Sequence, residues 1–137
     1  PAYHGYILEG LSALADNSFD VVILSQTLQQ IQNPFKLLSE LCRVGKIGIV
    51  SFPNFSHWRC RLQLLRGKIP QSKALPFSWY NTPNIRVISI NSFKQFCTEK
   101  NIEITKTITL SKTGKQKLTI FSNLFSEQGL FVIKKAQ

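Results

Sequence analysis

A short basic and aromatic segment carries the side chains best suited to binding a ligand or a partner. Residues 51–68 read SFPNFSHWRCRLQLLRGK, in which Trp58, Arg59 and Arg61 stand close together and no carboxylate occurs. A second group of candidate residues follows in the string WYNTPN, namely Trp79, Tyr80, Thr82 and Asn84. Because aromatic and Arg side chains are enriched at the centres of interfaces, the two groups are predicted to form one partner or ligand surface.

Ordinary packing explains the same aromatic residues equally well. Trp58, Phe77 and Trp79 could form a small cluster beneath a long loop, and the arginines would then only solvate that cluster. From the sequence, the docking surface and the packed cluster both stay open.

The charge of the chain restricts the class of partner. Its 137 residues include 17 Lys and Arg against 7 Asp and Glu, so the net charge is +10, and no acidic residue lies between Glu40 and Glu99. Such a charge attracts polyanions, acidic proteins or phosphorylated ligands. A basic nucleic-acid-binding module is one alternative, since Trp stacking and Arg contacts to phosphate suit single strands. No RNA-binding or helix-turn-helix signature accompanies these residues, which disfavours nucleic acid as the partner.

Catalytic and metal-binding patterns are missing from the sequence. No paired carboxylates, Cys–His couple or Ser–His–Asp set occurs at a workable spacing, so no catalytic residue is assigned. His57 is interpreted as a helix cap or a surface residue. Cys42, Cys60 and Cys97 form no CxxC pair, and they are predicted to be small core residues rather than disulfide partners or metal ligands.

The same thiols, together with the apolar runs, suggest a compartment. Free thiols suit a reducing cytoplasm. The apolar runs are strand-sized and too short to cross a membrane. We therefore expect a cytoplasmic protein that makes no membrane contact.

The first half of the chain predicts a strand, a helix and a second strand. The run FDVVILS over 19–25 is continuous and β-branched, which is typical of a strand buried on both faces. Asn33 is a suitable N-cap with Pro34 at the first helical position, and Gly45 ends that helix. The next apolar run, KIGIVSF, covers 46–52. This order favours a βαβ unit and an α/β fold class.

The second half predicts further strands and helices around a long loop. In chain order these are a helix capped by Ser56 and ending near Gly67, a loop to residue 84, a strand over 85–90, a helix capped by Asn91, and antiparallel strands over 102–110 and 129–135. Trp58, Leu62 and Leu65 fall on one stripe of the first of these helices. Residues 112–117, KTGKQK, are predicted to be an exposed basic loop.

Several strings and the order of the elements resemble the family of the methionine biosynthesis protein MetW, an offshoot of the class I S-adenosylmethionine-dependent methyltransferases. The matching strings are SFDVVILSQTLQ, RVGKIGIVSFPNFSHWRCRLQLLRGKIP, KALPFSWYNTPNIR and NLFSEQGLFVIKK. The resemblance implies one methyltransferase-like domain over 1–137, with a Rossmann-like, mostly parallel sheet and an antiparallel closing strand. It also implies a role in methionine biosynthesis beside homoserine O-acetyltransferase.

The chain departs from that family at the cofactor loop. Class I methyltransferases hold S-adenosylmethionine with a glycine-rich loop and an acidic side chain on the ribose. The seven glycines here form no GxGxxG. Residues 3–8 resemble a further strand, and where relatives carry an acidic residue after it, this chain reads HGYILEGL, with Tyr6 or Leu8 instead. The resemblance therefore implies the C-terminal part of the fold, with the N-terminal cofactor-binding half missing and no cofactor bound by this chain alone. A half sheet would also expose an edge, which favours self-association.

Four residues are nevertheless candidates for the floor of a cofactor site in a full-length relative. Ser25, Gln26, Thr27 and Leu28 follow a predicted parallel strand, and open α/β sheets bind ligands at the carboxyl ends of such strands. An active S-adenosylmethionine-dependent methyltransferase whose cofactor loop lies upstream is thus a further alternative. A polar turn between strand and helix explains the four residues as well.

Overall fold

The computed structural model describes residues 6–111 and 121–136, so the predicted basic loop at 112–117 lies outside the described residues. The elements are α1 (Ile7–Ser12), β1 (Phe19–Ser25), a 3₁₀ turn (Leu28–Gln30), α2 (Pro34–Val44), β2 (Gly45–Pro53), α3 (Trp58–Leu65), α4 (Ile90–Glu99), β3 (Ile102–Leu110), α5 (Ser122–Phe125) and β4 (Gln128–Lys135). The predicted α/β class is confirmed.

The sheet is mixed, and the prediction of a mostly parallel sheet was wrong. Its order is β1-β2-β4-β3, with β1 parallel to β2 and β4 antiparallel to both of its neighbours. The predicted antiparallel pairing of the last two strands is confirmed. Because β4 inserts between β2 and β3 instead of closing an edge, it turns two of the three pairings antiparallel.

Strand β1 lies at an edge of this sheet, and the expectation that it is buried on both faces was wrong, because no described element covers one of its faces. Side chains alternate along a strand, and only Leu24 is buried among the packed helices. Phe19, Val21 and Ile23 are exposed, Ile23 to 68%. Val21 pairs in register with Ile47, which is exposed as well. Within the described part of the chain, this apolar face of β1 is uncovered.

Helix α2 forms as its sequence predicts. Asn33 Oδ1 accepts a hydrogen bond from the Lys36 N–H at 3.1 Å, and Pro34 occupies the first turn. Leu41 on the inner face is buried against β2. Gly48 permits this close approach, since a Cβ there would lie 2.1 Å from Leu41 Cδ2. Three aromatic rings, Phe52, Phe93 and Phe131, complete the core between sheet and α4, with centroids 4.7–5.5 Å apart.

Three local predictions in the helical segments fail, each because a specific hydrogen bond decides otherwise. His57, not Ser56, caps α3, and its Nδ1 accepts from the Arg59 N–H at 3.3 Å. Ser89, not Asn91, caps α4 in a reciprocal capping box with Ser92. Residues 85–89 are irregular rather than a strand, because the first N–H groups of this segment bond to the 3₁₀ turn and not to a neighbouring strand.

The described chain begins with a helix, in contrast to the end of the strand expected around residues 3–8; residues 3–5 of that prediction lie outside the described residues. Helix α1 starts at Ile7. The Arg43 guanidinium of α2 donates to the carbonyl oxygens of Leu11 and Leu14 at 3.0 and 2.9 Å and pairs with Asp16 at 2.6 Å. These contacts hold the α1 segment against α2.

The three thiols are buried and free, as predicted. Burial raises the pKa of Cys42 to about 11 and that of Cys97 to about 12, so both stay protonated at neutral pH. No group of His, Cys, Asp or Glu in the described ranges is placed to hold a metal ion. Among the same residues, no helix has the length and apolar character needed to span a membrane.

Candidate functional site

The carboxyl end of β1 forms a tight polar turn. Gln26 adopts a left-handed φ of 51°, and its N–H donates to the Ser51 carbonyl oxygen at 3.0 Å. Thr27 Oγ1 donates to the Ser25 carbonyl oxygen at 2.8 Å, and Ser51 Oγ donates to Ser25 Oγ at 3.3 Å. Leu28 points into the core. Three of the four predicted floor residues therefore lie at the sheet edge, where they bond to one another and to β2, and the fourth packs inside.

The loop after WYNTPN lies directly against this turn. The N–H groups of Ile85 and Arg86 both donate to the Gln29 carbonyl oxygen, at 2.9 and 3.0 Å. The Arg86 guanidinium extends along the same connection and donates to the carbonyl oxygens of Ile31 and Gln32. The fold thus joins two segments that are distant in the sequence.

Gln29 is a site residue that sequence reasoning missed. It is 4% exposed, and its Nε2 donates to the Gln26 carbonyl oxygen at 2.9 Å. Gln29 Oε1 and Asn84 Oδ1 are buried without a hydrogen-bond partner within the described residues. Since buried acceptors are normally satisfied, this edge offers two oxygens to a ligand or water that carries N–H or O–H donors. No sequence motif marked Gln29.

Asn54, in the string SFPNF, was missed as well. It is 1% exposed, and its Nδ2 donates to the carbonyl oxygens of Asn123 and Ser126, both at 2.8 Å. Its Oδ1 accepts from the N–H groups of Ser56 and Ile90 at 3.1 and 3.4 Å. One side chain therefore ties the end of β2 to α5 and to the start of α4, and it positions the segment that leads into α3.

The basic and aromatic residues of α3 are solvent-facing. Trp58 is 40% exposed, and the Arg59 guanidinium carbon Cζ lies 5.2 Å from the centroid of the Trp58 ring. Arg61 Nε donates to the Ser56 carbonyl oxygen at 2.8 Å. The stripe that continues with Leu62 and Leu65 is exposed too, so α3 turns its apolar stripe outward and buries only Cys60.

The second predicted group, in the WYNTPN loop, is connected to α3 by side-chain hydrogen bonds. Gln63 and the Gln71 backbone bond reciprocally at 2.8 and 2.9 Å, and Gln71 Nε2 donates to Ser78 Oγ at 3.1 Å. Beyond Ser78, Trp79 and Tyr80 are 72% and 75% exposed and meet edge to face at 5.6 Å. We call Trp58, Arg59, Arg61, Trp79 and Tyr80 the basic aromatic surface.

The last two predicted surface residues shape the loop. The Asn84 N–H donates to Thr82 Oγ1 at 3.1 Å, and both residues are partly buried. This bond fixes the turn at Pro83, which follows the segment that carries Trp79 and Tyr80. The role of Thr82 and Asn84 in binding stays a prediction.

The edge at β1 does not fit a complete S-adenosylmethionine molecule. Its acceptor oxygens suit a ligand with N–H donors. The chain has no GxGxxG, however, and in the described ranges no acidic side chain follows the carboxyl end of a strand. Without these groups, the described residues of this edge supply no contact that would approach the methionine end or hold the ribose.

We expect this chain not to bind S-adenosylmethionine measurably in a calorimetric titration. The physical reason is the missing loop and acid, since the polar turn alone supplies few of the contacts that hold the cofactor. Clear heats that saturate at one equivalent would contradict the prediction. S-adenosylhomocysteine serves as a second ligand, because it differs only in lacking the methyl group and the positive charge on sulfur.

Comparison with known proteins gives a family match over nearly the whole chain. The family model described as "Methionine biosynthesis protein MetW" matches residues 2–133. A curated relative, the bifunctional methionine biosynthesis protein MetXA/MetW of Rhodopirellula baltica, is 39% identical over 97 residues. That match covers 69% of this chain and 16% of the relative, so the chain spans about a sixth of the curated relative's length.

Solved structures with a similar fold include S-adenosylmethionine-dependent methyltransferases. One from Archaeoglobus fulgidus has a TM-score of 0.64 at 14% identity, covering 97% of this chain and 66% of that chain. Another, from Thermotoga maritima and titled a possible histamine N-methyltransferase, has a TM-score of 0.60 at 18% identity, covering 89% of this chain and 58% of that chain. At these identities the similarity shows a methyltransferase-like fold.

Proposed function

The chain belongs to the methionine biosynthesis protein MetW family, and from that premise we propose that it acts in methionine biosynthesis by binding homoserine O-acetyltransferase. The relative from Rhodopirellula baltica, whose name joins MetXA and MetW in one protein, supports a physical association of this kind. We take the MetXA part to be the acetyltransferase. A cytoplasmic location agrees with the three free thiols and stays part of this proposal.

The observation that carries the proposal is the exposure of the basic aromatic surface. Two tryptophans, a tyrosine and two arginines face solvent on adjoining segments, and Trp, Tyr and Arg are the residues that most often dominate binding energy at interfaces. No carboxylate of the described residues pairs with Arg59 or Arg61. The complementary partner surface is therefore acidic with apolar pockets.

The direct experiment mixes the purified chain with purified homoserine O-acetyltransferase and measures the affinity by biolayer interferometry. We expect a saturable complex that weakens as salt rises, because exposed charges are screened within about 10 Å at 0.1 M ionic strength. A denatured sample of the chain controls for charge alone, since its net charge is the same. Equal binding of native and denatured chain, or none by either, would overturn the proposal.

We also expect the chain to self-associate through the edge of β1. This strand has an unpaired side in the described sheet and an uncovered apolar face that includes Val21 and Ile23. Exposed edges of this kind invite pairing with another chain. Because copies with a charge of +10 repel each other, association should increase with salt, opposite to the salt dependence expected for the acetyltransferase.

Replacing Ile23 with Lys should restore the monomer, since a charge on an edge strand opposes pairing. Light scattering across a range of concentrations and salt measures the mass. Leu65→Lys is the matched control, because Leu65 is also an exposed apolar residue, at 85%, but lies on α3. A wild-type chain that stays monomeric at every concentration and salt would refute self-association.

A further inference from the structure

A small apolar pocket opens between α2, α4 and the irregular segment 86–88. Its volume is about 170 Å³, and its walls include Leu28, Leu38, Val87, Phe93 and Phe96, with Arg86 among the lining residues. None of these residues belongs to the basic aromatic surface, and the acetyltransferase proposal does not use the pocket.

Backbone hydrogen bonds hold the walls in place. The segment 86–88 is anchored at both ends, because the Arg86 N–H donates to the Gln29 carbonyl oxygen at 3.0 Å and the Phe55 N–H donates to the Ile88 carbonyl oxygen at 3.0 Å. The facing wall is the first turns of α4, which the Ser89–Ser92 capping box fixes. The pocket is therefore formed before any ligand arrives, which lowers the entropic cost of binding.

Arg86 gives this apolar pocket a positive charge. Its guanidinium donates to the carbonyl oxygens of Ile31 and Gln32, which are neutral acceptors. No carboxylate in residues 6–111 or 121–136 forms an ion pair with it. A guanidinium keeps further N–H donors in a planar fork that matches a carboxylate. The pocket thus combines apolar walls with an unneutralised cation.

We propose that this pocket binds a small carboxylate whose apolar part is about the size of a benzene ring. The size follows from the volume, since an apolar protein cavity of about 150 Å³ accommodates benzene. The charge follows from Arg86, because a carboxylate forms charge-assisted hydrogen bonds with a guanidinium. The apolar group packs against Phe93 and Phe96, and the carboxylate faces Arg86.

Benzoate and benzamide are the matched probes, because they share shape and size and differ in charge. We expect saturable chemical-shift changes of the pocket residues with benzoate in NMR titrations of the whole chain, and binding about tenfold weaker with benzamide. Arg86→Gln should weaken benzoate about tenfold and leave benzamide unchanged. Arg66→Gln is the control, since it removes an exposed arginine at the end of α3 and should leave both affinities unchanged.

The Arg86→Gln variant could fail to fold, because Arg86 also donates hydrogen bonds to the carbonyl oxygens of Ile31 and Gln32. A second variant therefore tests the same proposal without removing Arg86. Val87 lines the pocket but is 80% exposed, so Val87→Glu should fold normally. Its carboxylate would pair with Arg86 and repel benzoate, and we expect the preference for benzoate over benzamide to disappear. The proposal is overturned if benzoate produces no saturable change, if benzamide binds as tightly as benzoate to the wild type, or if a folded Arg86→Gln or Val87→Glu chain keeps the wild-type preference.

Discussion

Replacing Arg59 and Arg61 together with Ala is expected to weaken binding to homoserine O-acetyltransferase about tenfold at low salt, with little change in the melting temperature. Both side chains are exposed and lack a carboxylate partner in the described part of the chain. Solvated charges of this kind contribute little to folding. Because they would lie near the rim of the interface, their effect should shrink as salt rises.

A control for net charge is available elsewhere on the chain. Lys73 and Lys94 are exposed and lie outside the basic aromatic surface, so their double replacement by Ala changes the charge equally. We expect that variant to bind nearly as the wild type does. If the two double variants bind the acetyltransferase with equal affinity, Arg59 and Arg61 are solvated surface residues with no specific role in binding.

The Trp58→Ala variant distinguishes a role of Trp58 in partner binding from a role in packing. A fully buried Trp costs about 3–5 kcal/mol of folding free energy on truncation, whereas Trp58 is 40% exposed and should cost clearly less. As an interface anchor it should lose 2 kcal/mol or more in binding, on the order of thirtyfold. Thermal melts and affinities of the same samples distinguish the two roles. A large loss of stability with unchanged affinity would support the packed cluster.

Replacing Asn54 with Ala is expected to cost about 3 kcal/mol or more of unfolding free energy. The change removes a 1%-exposed side chain that bonds two carbonyl oxygens and two N–H groups. Each buried group left without a partner costs about 1–3 kcal/mol. Since the four groups belong to α5, the start of α4 and the turn before α3, the loss should loosen all three. Urea unfolding followed by circular dichroism measures it.

Two further variants sharpen that test. Asn54→Asp keeps an oxygen for Ser56 and Ile90 but sets an oxygen against the carbonyls of Asn123 and Ser126, so it should destabilise as well. Asn91→Ala alters an exposed Asn on α4 and should stay within about 0.5 kcal/mol of the wild type. An Asn54→Ala chain as stable as Asn91→Ala would show that the Asn54 network contributes nothing.

Local physics, readable in the sequence, determined most of the secondary structure. The cap at Asn33 and the Pro after it begin α2 where predicted, because both act within one turn of helix. The apolar run over 19–25 and the alternating run over 102–110 form strands, and the last two strands pair antiparallel. The strings SFPNFSHW and WYNTPNI also pointed to the family. Each matches the family at many consecutive positions, which makes a chance match improbable.

Only the tertiary structure decided burial and the partners of individual polar groups. The run FDVVILS has the composition of a strand buried on both faces, yet burial of a face depends on which elements cover it, and no described element covers the face with Val21 and Ile23. The same holds for α3, whose apolar stripe faces solvent. Gln29, Asn54 and Arg86 gain their roles from contacts with residues up to 72 positions away. Such contacts have no sequence period, because they arise when the chain folds back on itself.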